Sequence, residues 1–257
     1  MYDSGSAADT LTRLRGCLDV NTARPKADLY GGRNPREIPI YSTPEAAHYL
    51  RFPENTVRSW VHGRVYPTSR GDRRARPVVP PADPRSGGLS FVNLLELHVL
   101  GAIRRQHHVD MRNVRAAIEF LKERFDSEHP LVDEVMDTDG KHLFVRKYGS
   151  LINASKQGQG AMEAVLEAHL RRIERDEQGL AVRLFPFTRK GTAAPRVVAI
   201  DPLVAFGRPV ILGSRVPTAD VADRFKAGES PADLAYDYGR PQAEIEEAIR
   251  CELGTAA

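Results

Sequence analysis

Apolar positions mark two short helices separated by a tight turn near the beginning of the chain. In YSTPEAAHYLRFPENTVRSWVHGR, Thr43 can cap a first helix that ends at Phe52-Pro53, and a second helix begins at Glu54 or Asn55. The apolar stripes that would pack together are Ala46, Ala47 and Leu50 in the first helix and Val57, Trp60 and Val61 in the second. This spacing predicts a helix-turn-helix.

The residues that follow predict a β-hairpin and then two longer helices. VYPTSRGDRRARPVVP contains a short extended run, an Arg-rich excursion and a second run at Pro77–Pro80, which indicates a hairpin, or wing. Apolar periodicity then predicts helices from about Asn93 to His107 and across MRNVRAAIEFLKERF, with Val114, Ile118, Leu121 and Phe125 in register. We predict a winged helix-turn-helix domain over residues 39–130.

A change of pattern after residue 130 predicts an α+β middle region over residues 131–196. Strand-like pieces (LVDEVM, HLFVRKY, AVRLFPF) flank an Asp139-Gly140 turn, and one long helix runs from about Ala161 to Glu177.

The last part of the chain, residues 197–257, predicts a strand pair followed by three helices. Val197–Ile200 and Val210–Leu212 are the strands, and Gly213-Ser214 supplies a turn. Thr218 caps a helix that stops at Gly228, and further helices begin at Ser230-Pro231 and at Pro241. Their apolar faces are Val221, Ala222 and Phe225 in the first and Ile245, Ala248, Ile249 and Leu253 in the third. This trihelical unit is itself patterned like a helix-turn-helix.

The predicted fold class is therefore α+β, mainly α. Residues 1–38 mix Gly, Pro, Asn and Arg without a sustained period and predict a flexible basic arm. Cys17 and Cys251 lack metal-ligand spacing, so we expect neither a disulfide framework nor a zinc site. Without a membrane-length apolar run or a signal peptide, the chain is expected to be cytoplasmic.

Charge divides the chain into a basic and an acidic part. Gly63–Arg85 contains six Arg and two Asp, whereas Val216–Ala257 contains four basic and nine acidic residues. This asymmetry predicts a polyanion such as DNA at one end and protein contacts at the other. The predicted DNA-binding residues are Thr56, Arg58, Ser59 and His62 on the second helix and Arg64, Arg70, Arg73, Arg74 and Arg76 on the wing. A helical hairpin that only packs is the alternative.

Candidate catalytic groups do not assemble into a site in the sequence. His107-His108 ends a helix, Asp137 and Asp139 flank a predicted turn, and Gly158 and Gly160 lack the lysine of a phosphate-binding loop. We expect no enzyme activity, no cofactor and no metal; magnesium-dependent cleavage at the Asp137/Asp139 hairpin is the enzymatic alternative.

Two segments resemble known families. YSTPEAAHYLRFPENTVRSW followed by LSFVNLLELHVL resembles the DNA-binding domain of MerR-like regulators. GRPVILGSRVPTADVADRFKAGESPADLAYDY resembles a small trihelical domain of unknown function that is common in antitoxins. Together they resemble the noncanonical VapB-type antitoxins of the mycobacterial VapB45-like group.

The resemblance implies two partners. One is a VapC-type PIN-domain ribonuclease toxin, whose acidic magnesium site the antitoxin blocks; the other is the promoter DNA of its own operon, bound as a homodimer. An arginine that enters the toxin's carboxylate cluster would favour basic flexible segments, here Arg24, Lys26, Arg33 and Arg36. The main alternative is a stand-alone MerR-like transcriptional regulator whose middle region binds a small effector.

Overall fold

The computed structural model describes residues 31–67, 69, 71–104, 111–189 and 194–254. Residues from Arg33 onward form one unit. Most of the predicted arm, Arg70 and the His107-His108 pair lie outside the described residues. Within the described ranges, no helix combines the length and the hydropathy that a membrane crossing needs.

The predicted helix pair is present as α1 (Thr43–Leu50) and α2 (Glu54–His62). Thr43 is the first residue of α1 and not its cap; the cap is Ser42, whose extended backbone precedes the helix. The turn between the helices contains Arg51 in the left-handed region, with φ of 57°. The ring of Phe52 then packs edge-on against Trp60, with 5.4 Å between centroids, and fixes α2 against α1.

The wing consists of β1 (Arg64–Tyr66) and β2 (Arg73–Ala75), which pair antiparallel. The prediction that Pro77–Pro80 forms its second strand is wrong. Proline cannot donate a ladder hydrogen bond, and the amides of Val78 and Val79 instead bond the carbonyl of Trp60 at 2.7 and 3.2 Å. The Arg-rich run is therefore the strand itself.

Four helices carry the main core: α3 (Phe91–Arg104), α4 (Met111–Phe125), α5 (Asp139–Leu151) and α6 (Lys156–Leu170). Helix α3 is buried almost all round, because α1, α6 and the 3₁₀ turn Pro35–Glu37 pack against it. The same apolar cluster contains Leu121 from α4, Leu131, Phe144 from α5 and Leu166 from α6. The core thus contains residues from both sides of the predicted domain boundary at residue 130. The division of the chain into domains stays a prediction.

The predicted strands of the early middle region are wrong. LVDEVM forms turns and a 3₁₀ segment at Glu134–Asp137, and HLFVRKY lies within α5. Phe144, Val145 and Tyr148 are buried on one face at helical spacing, which is the period this segment follows. Asp139 opens α5, where a carboxylate suits the positive end of the helix dipole. The helix predicted at Ala161–Glu177 is α6, which begins and ends earlier.

A series of short antiparallel pairs leads to the end of the chain. β3 (Ile173–Arg175) pairs with β4 (Ala181–Leu184), and β5 (Val198–Ala199) pairs with β6 (Val210–Ile211), as the sequence predicts for the latter pair. A bridge between Leu184 and Ile200 links the two. The Arg172 guanidinium crosses this region and donates to the carbonyls of Phe185, Pro186, Ala194 and Pro195.

Three helices complete the fold: α7 (Thr218–Lys226), α8 (Pro231–Tyr238) and α9 (Gln242–Leu253). Their own small core contains Ile211, Val221, Leu234, Ile245, Ala248 and Ile249. Thr218 is the first residue of α7 and does not cap it; its hydroxyl oxygen lies 3.3 Å from the carbonyl oxygen of Pro209. Phe225 and Leu253, predicted on apolar faces, are 36% and 42% exposed.

The trihelical unit packs directly on the helix-turn-helix. The imidazole of His48 on α1 contacts Glu252 on α9, and the Arg51 guanidinium donates to the carbonyl of Arg250. The Tyr41 hydroxyl donates to the carbonyl of Gly207 at 3.0 Å. The two ends of the described chain are therefore held together by polar contacts around α1.

Candidate nucleic-acid interface

The start of α1 is fixed by a capping box. The Ser42 hydroxyl accepts from the backbone amide of Glu45 at 3.3 Å, and the Glu45 carboxylate accepts from the backbone amide of Ser42 at 2.8 Å. Two amides that lack a helical partner are satisfied in this way. The geometry defines the first helix and thereby the position of α2.

The outer face of α2 consists of Glu54, Asn55 and Arg58, which are exposed. Arg58 forms an i,i+4 ion pair with Glu54, and both side chains are about half exposed. A pair of this kind contributes about 0.3–0.5 kcal/mol, so the arginine is readily released to a stronger anion. Arg58 is the cation that α2 offers to solvent.

Three other predicted residues of α2 are less accessible than the sequence suggests. Thr56 is 8% exposed and lies among the buried residues of α2, so its side chain is not available to a base. Ser59 is half-buried, and its hydroxyl donates to the carbonyl of Thr56 at 2.8 Å. The half-buried His62 imidazole lies 3.2 Å from the Thr43 hydroxyl, which joins α2 to α1.

The hairpin carries a row of exposed arginines. Its register pairs Arg64 with Ala75, Val65 with Arg74 and Tyr66 with Arg73. The side chains of Arg64, Arg73, Arg74 and Arg76 are exposed, as is Val65 at 61%. Together with Arg58, these guanidinium groups give α2 and the hairpin a positively charged surface. Each of them is suited to bidentate contacts with phosphate.

Gly63 holds the hairpin close to the end of α2. Its φ is 72°, and a Cβ atom there would lie 2.1 Å from the carbonyl oxygen of Ala75. A side chain at this position would have to displace the backbone of the opposite strand. The positive φ would also strain any residue other than glycine, even where space is available. Glycine therefore couples the direction of the hairpin to that of α2.

The structure describes only some of the other predicted site residues. Arg24 and Lys26 lie outside the described residues, Arg33 is exposed, and Arg36 is half-buried with its Nε donating to Asn34 at 3.1 Å. Asp137 forms an ion pair with Arg175, while Asp139 lies at the start of α5. Among the described residues, no group of His, Cys, Asp and Glu could hold a metal ion.

The structure contains an arginine-lined cavity beside α2 that the sequence pattern does not predict. A cavity of about 540 Å³ lies between α2, the hairpin, the end of α3 and the start of α4. We call it the arginine cleft; its lining includes Arg64, Arg104, Arg112, Arg115, Trp60 and Tyr66. The i,i+3 spacing of Arg112 and Arg115, together with an arginine in the last turn of α3, is the signal that could have revealed it.

Family models match both ends of the chain. Residues 39–118 match the family described as "Putative DNA-binding HTH domain", and residues 198–250 match the "Protein of unknown function (DUF433)" family. The first range contains α1, α2, the hairpin, α3 and the first half of α4. The second contains β5, β6 and the helices that follow. The fold is α+β, mainly α, with an N-terminal helix-turn-helix.

Relatives from Mycobacterium tuberculosis (strain ATCC 25618 / H37Rv) match most of the chain. It is 27% identical over 230 residues to "Putative antitoxin VapB45", covering 83% of this chain and 93% of that protein. It is 26% identical over 224 residues to "Uncharacterized protein Rv2308", covering 83% and 89%. The resemblance predicted from the sequence to the VapB45-like group is confirmed.

A solved structure has a similar fold. The crystal structure of Rv2018 from Mycobacterium tuberculosis superposes with a TM-score of 0.59 at 24% identity, covering 82% of this chain and 98% of that one. This likeness concerns the fold alone.

Proposed function

We propose, on the premise of an N-terminal helix-turn-helix, that this protein is a non-enzymatic, DNA-binding antitoxin that acts in the cytoplasm. In this proposal it neutralises a VapC-type PIN-domain ribonuclease and represses its own promoter as a homodimer. The DNA-binding part rests on one observation, which is that the arginines of α2 and of the adjoining hairpin are all exposed to solvent. They are Arg58 on the helix and Arg64, Arg73, Arg74 and Arg76 on the hairpin. The antitoxin part rests on the likeness to the protein named VapB45.

The charge distribution supports DNA binding by the hairpin and protein binding by the trihelical unit. Phosphate contacts by arginine provide most non-specific affinity, and the hairpin supplies these groups. The trihelical unit has the opposite charge, with nine acidic and four basic residues over Val216–Ala257, which disfavours DNA. Its Tyr236 is 88% exposed on α8, and such a side chain suits a protein interface. We assign protein contacts to this unit.

The DNA-binding part is tested by the salt dependence of binding to the chain's own promoter. Replacing Arg73, Arg74 and Arg76 with Ala should weaken binding to all duplexes and reduce the slope of log K against log salt by about 0.9 for each phosphate that is no longer neutralised. The matched control replaces Arg146, Lys156 and Arg171, exposed cations of α5, α6 and the residue after it. Unchanged promoter binding by a folded wing variant would refute the proposed interface.

The antitoxin part is tested by co-expression with the products of the neighbouring genes. A PIN-domain protein should copurify with the tagged chain, and its ribonuclease activity should be suppressed in the complex and return when the chain is removed. If a PIN-domain neighbour is active and remains so in the presence of this chain, the antitoxin assignment is wrong. Truncating residues 1–38 then tests the predicted contribution of Arg24, Lys26, Arg33 and Arg36.

A cavity that the middle region forms with α3 and the segment around Arg36 favours the alternative of a stand-alone MerR-like regulator. It has a volume of about 390 Å³ and is lined by both apolar and charged groups, among them Arg36, Leu95, His129, Val135 and Arg175. Its size lies in the range of small-molecule sites. A chain that purifies alone as a promoter-bound dimer, and whose DNA affinity responds to a metabolite, would favour this function over the antitoxin.

A further inference from the structure

The arginine cleft combines a defined volume with a concentration of positive charge. Arg64, Arg104 and Arg112 are exposed and Arg115 is half-buried, and all four contribute to one cavity of about 540 Å³. The positive charge of four guanidinium groups around one cavity attracts an anion that enters it.

Aromatic groups form another part of the same lining. Trp60 and Tyr66 border the cleft, and the Arg104 guanidinium lies over the Trp60 ring at 5.7 Å from its centroid. This cation–π contact holds one arginine at the wall of the cavity. The half-buried Tyr66 ring offers a surface on which a flat group can stack. The volume also falls in the range of small-ligand sites.

We propose that the arginine cleft is a phosphate-binding site that accepts phosphate groups through Arg64, Arg104 and Arg112. Arginine is suited to this role because its planar fork donates two parallel hydrogen bonds to phosphate oxygens. The phosphate belongs either to a free nucleotide, whose base reaches the aromatic wall, or to the backbone of the DNA that meets α2 and the hairpin. Only the second source rests on the proposed function.

The free-ligand source is tested with inorganic pyrophosphate and ATP as probes on the full chain. Trp60 is the only tryptophan, so its fluorescence reports events at the cleft directly. If the source is a free nucleotide, ATP should bind with one-to-one stoichiometry and change this signal. Arg104→Gln/Arg112→Gln should weaken ATP binding by about tenfold or more, since two charged donors are removed. The matched control is Arg73→Gln/Arg74→Gln, which changes the same number of arginines outside the cleft.

The DNA source is tested with the same two variants on promoter DNA. If backbone phosphate occupies the cleft, Arg104→Gln/Arg112→Gln should reduce the salt slope by about 0.9 for each phosphate that is no longer neutralised, while ATP shows no saturable binding. If this variant keeps its circular-dichroism melting curve, binds DNA like the wild type and leaves ATP behaviour unchanged, the cleft proposal is overturned. Normal DNA binding by Arg73→Gln/Arg74→Gln would instead count against the proposed function, so the two failures are distinguishable.

Discussion

The imidazole Nε2 of His48 lies 2.9 Å from a carboxylate oxygen of Glu252, 204 residues further along the chain. His48 belongs to α1 of the helix-turn-helix and Glu252 to α9 of the trihelical unit, so this contact joins the two. The Glu252 carboxylate also accepts a hydrogen bond from the Thr218 hydroxyl on α7. One acidic side chain thus links three helices.

Replacing Glu252 with Gln should lower stability at pH 7 by about 1–2 kcal/mol. Burial opposes the ionised form, but hydrogen bonds from His48 and Thr218 outweigh it and hold the pKa of Glu252 below its usual 4.5. The ionised carboxylate therefore stabilises the fold above that value, and the contribution disappears as pH falls through the lower folded-state pKa. Thermal melts should show wild type and variant converging as the pH falls below 4.5. A difference that does not depend on pH would contradict this.

Glu247→Ala should destabilise the fold by about 1–3 kcal/mol in urea unfolding. The Glu247 side chain is fully buried, accepts from Arg189 at 3.0 Å and also contacts Thr188 and Arg250. The half-exposed Arg189 can regain water, whereas the buried Thr188 loses its acceptor. Glu246→Ala is the neighbouring control and should change stability by about 0.5 kcal/mol or less. Equal effects of the two would refute the buried network.

Two glycine substitutions should have opposite effects. Gly63→Ala should destabilise by more than about 1 kcal/mol and weaken DNA binding, because Gly63 has a positive φ and no room beside Ala75. Gly160→Ala should stabilise by about 0.5–1 kcal/mol, since Gly160 lies in α6 and a Cβ there meets nothing within 4 Å. Melting temperatures of the two variants check the contrast, and a neutral Gly63→Ala would show that the hairpin tolerates a different path.

The Cys251 thiol should be unreactive in the native protein at pH 8. Cys251 is buried, and this burial, with the nearby Glu252 charge, raises the pKa of its thiol to about 12. In a Cys17→Ser variant, which retains one cysteine, a disulfide reagent should react only as α9 opens or the chain unfolds. Cys251→Ser is the control for reaction at Cys17. Rapid, complete labelling without denaturant would disprove the burial.

Thr56→Ala and Arg58→Ala should separate stability from DNA recognition. Thr56 is buried in α2, so its replacement should lower the melting temperature and leave sequence preference unchanged. Arg58 is exposed, so Arg58→Ala should leave stability within about 0.5 kcal/mol and weaken binding to one promoter sequence more than to others. Competition binding with single-base promoter variants measures the sequence preference of each protein. If Arg58→Ala lowered the affinity for all sequences equally, Arg58 would contact phosphate and not a base.

Local signals predicted the helical ends of the chain well. Helix α7 ends just before Gly228, and α8 begins at Ser230-Pro231 and ends at Gly239. These limits are predictable because helix capping and the left-handed conformation of glycine depend on local sequence. The prediction failed for α5, where Asp139-Gly140 has the composition of a turn but begins a helix. Helix α5 packs against α4 and α6 with Phe144 and Tyr148 buried, and that packing decides the structure against local preference.

The sequence predicts that the candidate site is positively charged, but it does not predict how the side chains are arranged. Arg73 and Arg74 are exposed on the hairpin, as the Arg-rich run indicates. The polarity of Thr56 predicts an exposed side chain, yet the close packing of α2 buries it. Arg104 and Arg112 come together with Arg64 only through the tertiary arrangement of α3 and α4 with the hairpin. Spacing along the sequence does not contain that arrangement.

Under the proposed function, the junction between α1 and α9 couples DNA binding at the helix-turn-helix to the binding of a protein partner at the trihelical unit. A ligand of the trihelical unit that prefers the joined arrangement raises the population of chains in which α1 is held, and one that prefers the separated arrangement lowers it. Reciprocity then requires that DNA change the affinity for that ligand by the same factor by which the ligand changes the affinity for DNA. The change in promoter affinity that such a ligand causes and the change in ligand affinity that DNA causes are then two measurements of one coupling free energy, to which the contacts of His48 and Arg51 with the last helix contribute.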